Sequence, residues 1–306
     1  EIMCFMKKML FVVNPKAGKT TLKNSLADVI DIFIKNDYEV TIHITQNAND
    51  ASRIAKDRSM DFDVIVCAGG DGTLANVING IMQLPKADRV PVGYIPCGST
   101  NDYARSLDIP DVGIKAAGKL VKAQPFAVDI GHLTDKFFVY VAAFGIFSDV
   151  SYATPQNMKN VLGHGAYVLQ GIKSVINIPS YHLVIEHDNE VEEDDFIYGM
   201  VSNSVSVGGY KSMVRNGVEF DDGLFECLFI RKIRNPADLN RTVGSFIGGY
   251  PNDKNMVCFR TSNVKIRSDK ELAWTLDGEF GGNTTDCEIE IIPRAIDILV
   301  SAEGDE

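Results

Sequence analysis

The sequence predicts an α/β half followed by a mainly antiparallel β half, and two observations carry that reading. Short apolar runs alternate with stretches of helical periodicity as far as Pro125, the order of a parallel sheet covered by helices. Beyond Pro125 come runs rich in Val, Ile, Phe and Tyr, parted by Gly, Asn and Asp, the signature of antiparallel strands. A length of 306 residues exceeds the roughly 100–200 of an average domain, which also favours two domains.

Met9 to Val13 is a short apolar run ending at Asn14-Pro15, a strand giving way to a loop. Leu22, Leu26, Val29, Ile30 and Phe33 share one helical face. Tyr38 to Thr45 alternates as a second strand, and Asp63 to Ala68, apolar and closed by glycines, reads as a strand buried on both faces. Leu74, Val77, Ile78, Ile81 and Met82 form the next helical stripe, Pro91 to Ile95 a fourth strand, and Asn101-Asp102 the cap of a short helix. In the second half, strands are expected at 137–144, 181–187, 196–203, 224–230, 257–259 and 263–267. A helical insertion is expected around Tyr167 to Ile176, and an exposed acidic hairpin tip at 187–195.

With 45% hydrophobic and 23% charged residues and no low-complexity tract, the chain can bury a sizeable core. A net charge of −11 argues against nucleic acid, which needs a Lys/Arg footprint. Local basic clusters do occur at Lys7 and Lys8, at Arg231, Lys232 and Arg234, and from Arg260 through Lys265 to Arg267. They read either as a membrane-docking face or as ordinary solvated charge. The longest apolar run falls far short of the roughly 20 residues of a membrane span. The opening residues lack a small-residue cleavage site and are not read as a secretory signal; the first few read as an addition ahead of the first strand. Six scattered cysteines without a C-x-x-C pair read as reduced, buried thiols of a cytoplasmic protein.

Three loops follow strands and open helices, so they face one edge of the sheet. Gly69, Gly70, Asp71, Gly72 and Thr73 lie where backbone N–H groups and a helix dipole are ready to hold an anion. Glycines admit phosphates close to the main chain, Thr73 can cap the helix or donate its hydroxyl, and Asp71 can reach a metal or a phosphate-bound water. The loop of Asn14, Pro15, Lys16, Ala17, Gly18, Lys19 and Thr20 resembles a Walker A loop superficially. That motif needs glycine five positions before Gly18, where Val13 stands, so it remains a second polar loop able to contact a nucleotide. The third loop is Pro96 to Asp102, and three such loops make one cleft. Helix capping alone is the alternative reading for Ser99, Asn101 and Asp102.

Taken together, VNPKAGK, AGGDGTL and IPCGSTNDYAR resemble the diacylglycerol kinase-like lipid kinases, a family that includes sphingosine kinases. VEFDDGLFECLFI (218–230) is similar to that family's Asp-Gly-Leu segment, and TLDGEFGG (275–282) to its Asp-Gly-Glu segment. The resemblance covers nearly the whole chain. It implies a Rossmann-like ATP-binding domain over 1–126, a β-sandwich lipid domain over 127–292, with 293–306 a candidate to return to the first, and ATP and lipid meeting between the two. It implies nucleotide contacts from Asn14, Pro15, Gly18, Lys19, Thr45, Gly69 to Thr73, Gly98, Ser99, Asn101 and Asp102. It further implies Asp277 as general base, with Glu279 orienting it or assisting with metal, and Mg²⁺ on Asp222 with main-chain oxygens of Glu219 and Leu224. A plain turn is the alternative for Asp277-Gly278, and a metal-free β-turn for Asp222.

The chain departs from the family after GGDGT-x, where members carry Asn-Glu and this sequence has Ala75 and Asn76; Asn76 or Asn79 is the candidate replacement. The expected reaction is transfer from MgATP to a lipid hydroxyl, diacylglycerol first among acceptors, during transient contact with a membrane surface. NAD kinase or a phosphofructokinase-like kinase is the rival enzyme, since both share a GGDG turn. A non-catalytic lipid- or nucleotide-binding module is the rival of another class. Phe137, Phe138, Phe144, Phe147, Tyr152 and Tyr167 are read as core or as an acyl groove, and a homodimer is left open.

Overall fold

The computed structural model describes residues 6–17, 21–98, 101–146, 179–204, 206–207, 210–211, 219–235, 237–238, 241–242, 245 and 253–301. The chain divides into two compact units, Glu1–Val128 with Arg294–Glu306, and Asp129–Pro293. The helix expected around Tyr167 to Ile176, and Phe147, Tyr152 and Tyr167, lie outside the described residues.

In the first unit the chain runs β1 (Lys7–Val13), α1 (Thr21–Lys35), β2 (Tyr38–Ile44), α2 (Asp50–Arg58), β3 (Val64–Gly69), α3 (Asp71–Met82), β4 (Val92–Pro96), α4 (Asp102–Ser106), α5 (Gly113–Leu120) and into β5 (Gln124–Leu133). The strands pair in parallel in the order β4, β3, β1, β2. One face of the sheet buries Met9, Phe11, Val13, Val64, Val66 and Ile95 against Val29 and Phe33 of α1 and Ala116, Ala117 and Leu120 of α5. The alternate residues Leu10, Val12, Ile65 and Cys67 are equally buried, so both faces are covered and the strands read as unbroken apolar runs. Helices α2 and α5 carry too few large apolar residues for a clear stripe and were not anticipated from the sequence. Their small faces, Ala51 and Ala55 in one and Ala116 and Ala117 in the other, are buried by close packing.

The second unit continues with β6 (Lys136–Phe138), β7 (Val141–Gly145), β8 (Tyr181–His187), β9 (Glu190–Ser202), the short pair β10 (Ser206–Val207) and β11 (Tyr210–Lys211), β12 (Phe225–Arg231), β13 (Met256–Thr261), β14 (Asn263–Leu276) and β15 (Glu279–Val300). Its antiparallel ladder runs β13, β12, β9, β7, β14, β15. Strands β8 and β7 lie end to end in the lane between β9 and β14, because β8 pairs with the first part of each long strand's shared ladder and β7 with the other. The last residues of β15 belong to the first unit, where Ile298 pairs in parallel with Val92.

Two expectations are corrected here. The acidic stretch 187–195 is the end of a hairpin, but its turn is confined to Asp188-Asn189, both at positive φ, while Glu190 to Asp195 pair with β8 as strand. The expected strand 137–144 is broken at Val139 and Tyr140, whose amides are drawn off the ladder by a side chain described below. Phe144 lies in the core of this unit, edge-on to Trp274 at 5.0 Å and to Tyr181 at 5.9 Å. Phe144→Ala should lower unfolding stability by about 3–5 kcal/mol, read as a shifted urea midpoint at constant slope.

Candidate active site

Because β1 to β4 run parallel, the residues that follow them share one edge of the sheet: Asn14 after β1, Thr45 after β2, Gly70 after β3 and Gly98 after β4. The ladder extends into these loops, with Asn14 N–H on the Ala68 carbonyl and Thr45 N–H on the Val13 carbonyl at 2.9 Å, and Cys97 N–H on the Gly69 carbonyl at 2.6 Å. Gly18, Lys19 and Ser99 lie outside the described residues.

Gly70 is the N-cap of α3, with no side chain capping the helix, so the positive end of the helix dipole opens on the loop edge, the chemistry an anion site needs. A Cβ on Gly98 would stand 2.9 Å from Gly70 Cα, and one on Gly69 would stand 2.3 Å from Thr73 Oγ1. The two glycine loops thus approach backbone to backbone, which no other residue type allows. Asn14 fastens the first loop to the second: its Nδ2 donates to Thr73 Oγ1 at 2.9 Å, and its Oδ1 accepts Lys16 N–H at 3.0 Å across Pro15.

The third loop closes differently from the expectation. Asn101 occupies the N-cap position of α4 but at φ +51° and without capping it. Its Oδ1 accepts Gly98 N–H at 2.8 Å, and its Nδ2 reaches Asp111 Oδ1 at 3.3 Å, so it holds the glycine loop shut instead. Asp102 N–H donates to Asp71 Oδ2 at 3.2 Å and the Tyr94 hydroxyl to Asp71 Oδ1 at 3.3 Å, an inward bridge between α3 and α4. Burial, and secondly the charge of Asp102, push the Asp71 carboxyl up to about 6. Neither candidate for the missing family Asn turns outward through its amide: Asn76 Nδ2 donates to Gly72 O at 2.8 Å and Asn79 Nδ2 to Ala75 O at 2.9 Å, each back onto α3.

One residue that sequence reasoning missed is Asp50, hidden in the polar run after Thr45. Its buried carboxylate accepts Gln46 N–H and faces His43 Nε2, both at 3.0 Å, and accepts Arg53 Nη2 at 2.5 Å. These partners, the Gln46 amide first, hold it down at about 2. Asp50 thereby fixes the turn that carries Thr45.

In the second unit Asp277 and Gly278, at φ +50° and +85°, make the two-residue turn between β14 and β15. Asp277 is 4% exposed. Its Oδ2 accepts Val139 N–H at 2.7 Å, and its Oδ1 accepts Tyr140 and Val141 N–H at 3.0 and 3.1 Å. Its own N–H donates to Val141 O at 2.9 Å. The carboxylate is oriented by this main-chain cradle rather than by Glu279, which is exposed.

The turn at 220–224 holds Asp222 half-buried, with Oδ1 accepting Leu224 N–H at 2.9 Å and Oδ2 paired with the Arg260 guanidinium. Arg260 also donates through Nε to Glu226 Oε1 at 3.1 Å. Among the described residues no three His, Cys, Asp or Glu side chains converge on a metal position. One carboxylate and main-chain oxygens fit Mg²⁺ in donor chemistry, with Arg260 as the competing cation.

An α/β unit that gathers glycine loops at one sheet edge, joined to a β-rich unit carrying a buried turn carboxylate, defines a two-domain phosphotransferase. Comparison with known proteins narrows the class. Residues 8–133 match the model of the diacylglycerol kinase catalytic domain, and residues 141–300 that of the YegS C-terminal NAD kinase beta sandwich-like domain. The chain is 31% identical over 279 residues to the diacylglycerol kinase of Bacillus subtilis (strain 168), covering 90% of this chain and 91% of that one. It is 31% identical over 280 residues to the diacylglycerol kinase of Staphylococcus aureus (strain JH9), covering 90% and 87%. A crystal structure from Bacillus anthracis str. Sterne, provisionally named a diacylglycerol kinase, superimposes with a TM-score of 0.83 at 26% identity over 97% of this chain and 98% of that one. This chain belongs to the diacylglycerol kinase family, and is a lipid kinase.

Asp50→Asn should cost about 1–3 kcal/mol at neutral pH by weakening charged hydrogen bonds. A depressed carboxylate stabilises the fold above its ordinary value of 3.8 and loses that contribution as pH falls toward about 2. The variant should therefore show a shallower acid decline over that window in urea titrations. Asp71 carries the opposite sign: the stability linked to its raised value is present below 3.8 and lost as pH rises through about 6. In nucleotide-free protein, the melting temperature of Asp71→Asn relative to the unmodified chain should climb between pH 4 and 7.5; a flat difference would contradict the assignment.

Proposed function

We propose that this chain transfers the γ-phosphoryl group of ATP to the free hydroxyl of diacylglycerol, giving ADP and phosphatidic acid. The observation that carries the reading is the Gly69 to Thr73 turn, pressed against Gly98 and fastened by Asn14, at an uncapped helix N-terminus. Amides around Gly70 to Gly72 hold the triphosphate, with Asn14, Pro15 and Thr45 on the neighbouring loops of the same sheet edge. The matched family description supports reading the second unit as beta sandwich-like.

Asp277 is the general base. As the acceptor oxygen attacks the γ-phosphorus, its proton passes to the Asp277 carboxylate, and the bond from the γ-phosphorus to the bridging oxygen of ADP breaks. The cradle at Val139, Tyr140 and Val141 keeps the carboxylate in one orientation, so no side-chain reorganisation accompanies proton transfer. Mg²⁺, when bound, neutralises phosphate charge. Asp222 and main-chain oxygens of Glu219 and Leu224 would hold a further ion that braces their turn. The acceptor resides in a bilayer, so turnover takes place at a membrane surface.

Asp277→Asn should lose about 10²–10⁴-fold in turnover while ATP affinity, read by equilibrium titration, stays unchanged. Radiolabelled ATP offered with diacylglycerol, sphingosine, NAD and sugar phosphates should label diacylglycerol most. Transfer confined to NAD would overturn the lipid reading.

A further inference from the structure

The hairpin that carries Asp277 changes register within a few residues of its turn. Leu272, Ala273 and Trp274 stand opposite Thr284, Asn283 and Gly282, whereas Thr275 and Leu276 stand opposite Phe280 and Glu279. Gly281 is left opposite nothing, which makes it a β-bulge. Without that extra residue, the register of 272 to 284 would run on to set position 280 opposite Leu276. That is the face of Leu272, Trp274 and Leu276, all members of the core. A slip of one residue sends a side chain to the other face, so Phe280 stands opposite Thr275 instead and is 53% exposed.

The local sequence enforces the slip. A Cβ at Gly281 would lie 2.7 Å from Leu276 Cγ and 3.1 Å from Trp274 O, and Gly282 adopts φ +116°. Two glycines are thus committed to turning one aromatic ring away from an apolar core that lies a single register step away. The ring they turn out belongs to the residue three positions after the candidate base, on a hairpin whose other side is pinned to Val139, Tyr140 and Val141. Bulges beside active sites commonly re-aim a side chain in this way. Diacylglycerol presents its hydroxyl at the end of two acyl chains, so a base that meets the hydroxyl needs an apolar neighbour for the chain behind it.

We infer that Phe280 is a specificity-determining residue for the acceptor, its ring meeting an acyl chain next to the hydroxyl that is phosphorylated. The inference rests on the lipid-kinase reading above. It is tested with the full chain by measuring KM separately for dioctanoylglycerol in detergent micelles and for ATP, in Phe280→Ser and Phe280→Leu. Phe280→Ser should raise the lipid KM about tenfold, leave the ATP KM and the melting temperature unchanged, and be largely rescued by Phe280→Leu. A lipid KM equal to that of the unmodified chain, or an ATP KM that rises in step, overturns the inference. Should the unmodified chain phosphorylate no diacylglycerol, the lipid-kinase reading fails on its own, and calorimetric titration with dioctanoylglycerol decides the role of Phe280. Weaker binding by Phe280→Ser supports the role, and equal titrations of the two proteins overturn it.

Discussion

The loop edge of the first unit depends on one steric constraint, the backbone-to-backbone approach of Gly70 and Gly98. Strands β3 and β4 are hydrogen-bonded to their ends, and the ladder continues one step further through Cys97 N–H and the Gly69 carbonyl. Any side chain at Gly98 would force the loops apart just where main-chain amides must converge. The surrounding polar bonds tighten the same junction from three directions: Asn14 from β1, Asn101 within the third loop, and Asp71 from α3 to the start of α4. An anion site made of amides needs this tightness, because each amide contributes through its fixed direction rather than through a net charge.

Asp50 and Asp71 sit in the same unit and are displaced in opposite directions. Asp50 is met by an amide, a guanidinium and an imidazole, so hydrogen bonding and opposite charge overcome burial. Asp71 receives two amides and a phenol but lies beside Asp102, and burial wins. The first arrangement anchors a turn at neutral pH. The second leaves a carboxyl whose ionisation carries a cost.

The second unit shows how a β-hairpin can serve two ends at once. Its turn aims a carboxylate inward, onto amides that would otherwise continue a strand, and the interruption between β6 and β7 is the result. A few residues on, the Gly281 bulge aims an aromatic ring outward. Both departures from regular sheet fall within six residues of chain, from Asp277 to Gly282, and neither could be made with ordinary L-residues throughout.

What the sequence determined by itself was the local order. Apolar runs bounded by glycine placed β3 and the start of α3, because a strand buried on both faces and a helix of period 3.6 leave different patterns in a short window. The glycine loops were legible for the same reason, since a positive φ or a close approach demands a residue type rather than a position. Tertiary structure decided the partners. Asn101 looked like a cap and proved to be a latch on Gly98, and Asp50, not singled out from the sequence, proved to be a buried anchor, both through local bonds; Asp277 found its cradle 136 to 138 positions earlier in the chain. Hydrogen bonds of that separation depend on strand register and crossing, and no local window of sequence contains both ends of them.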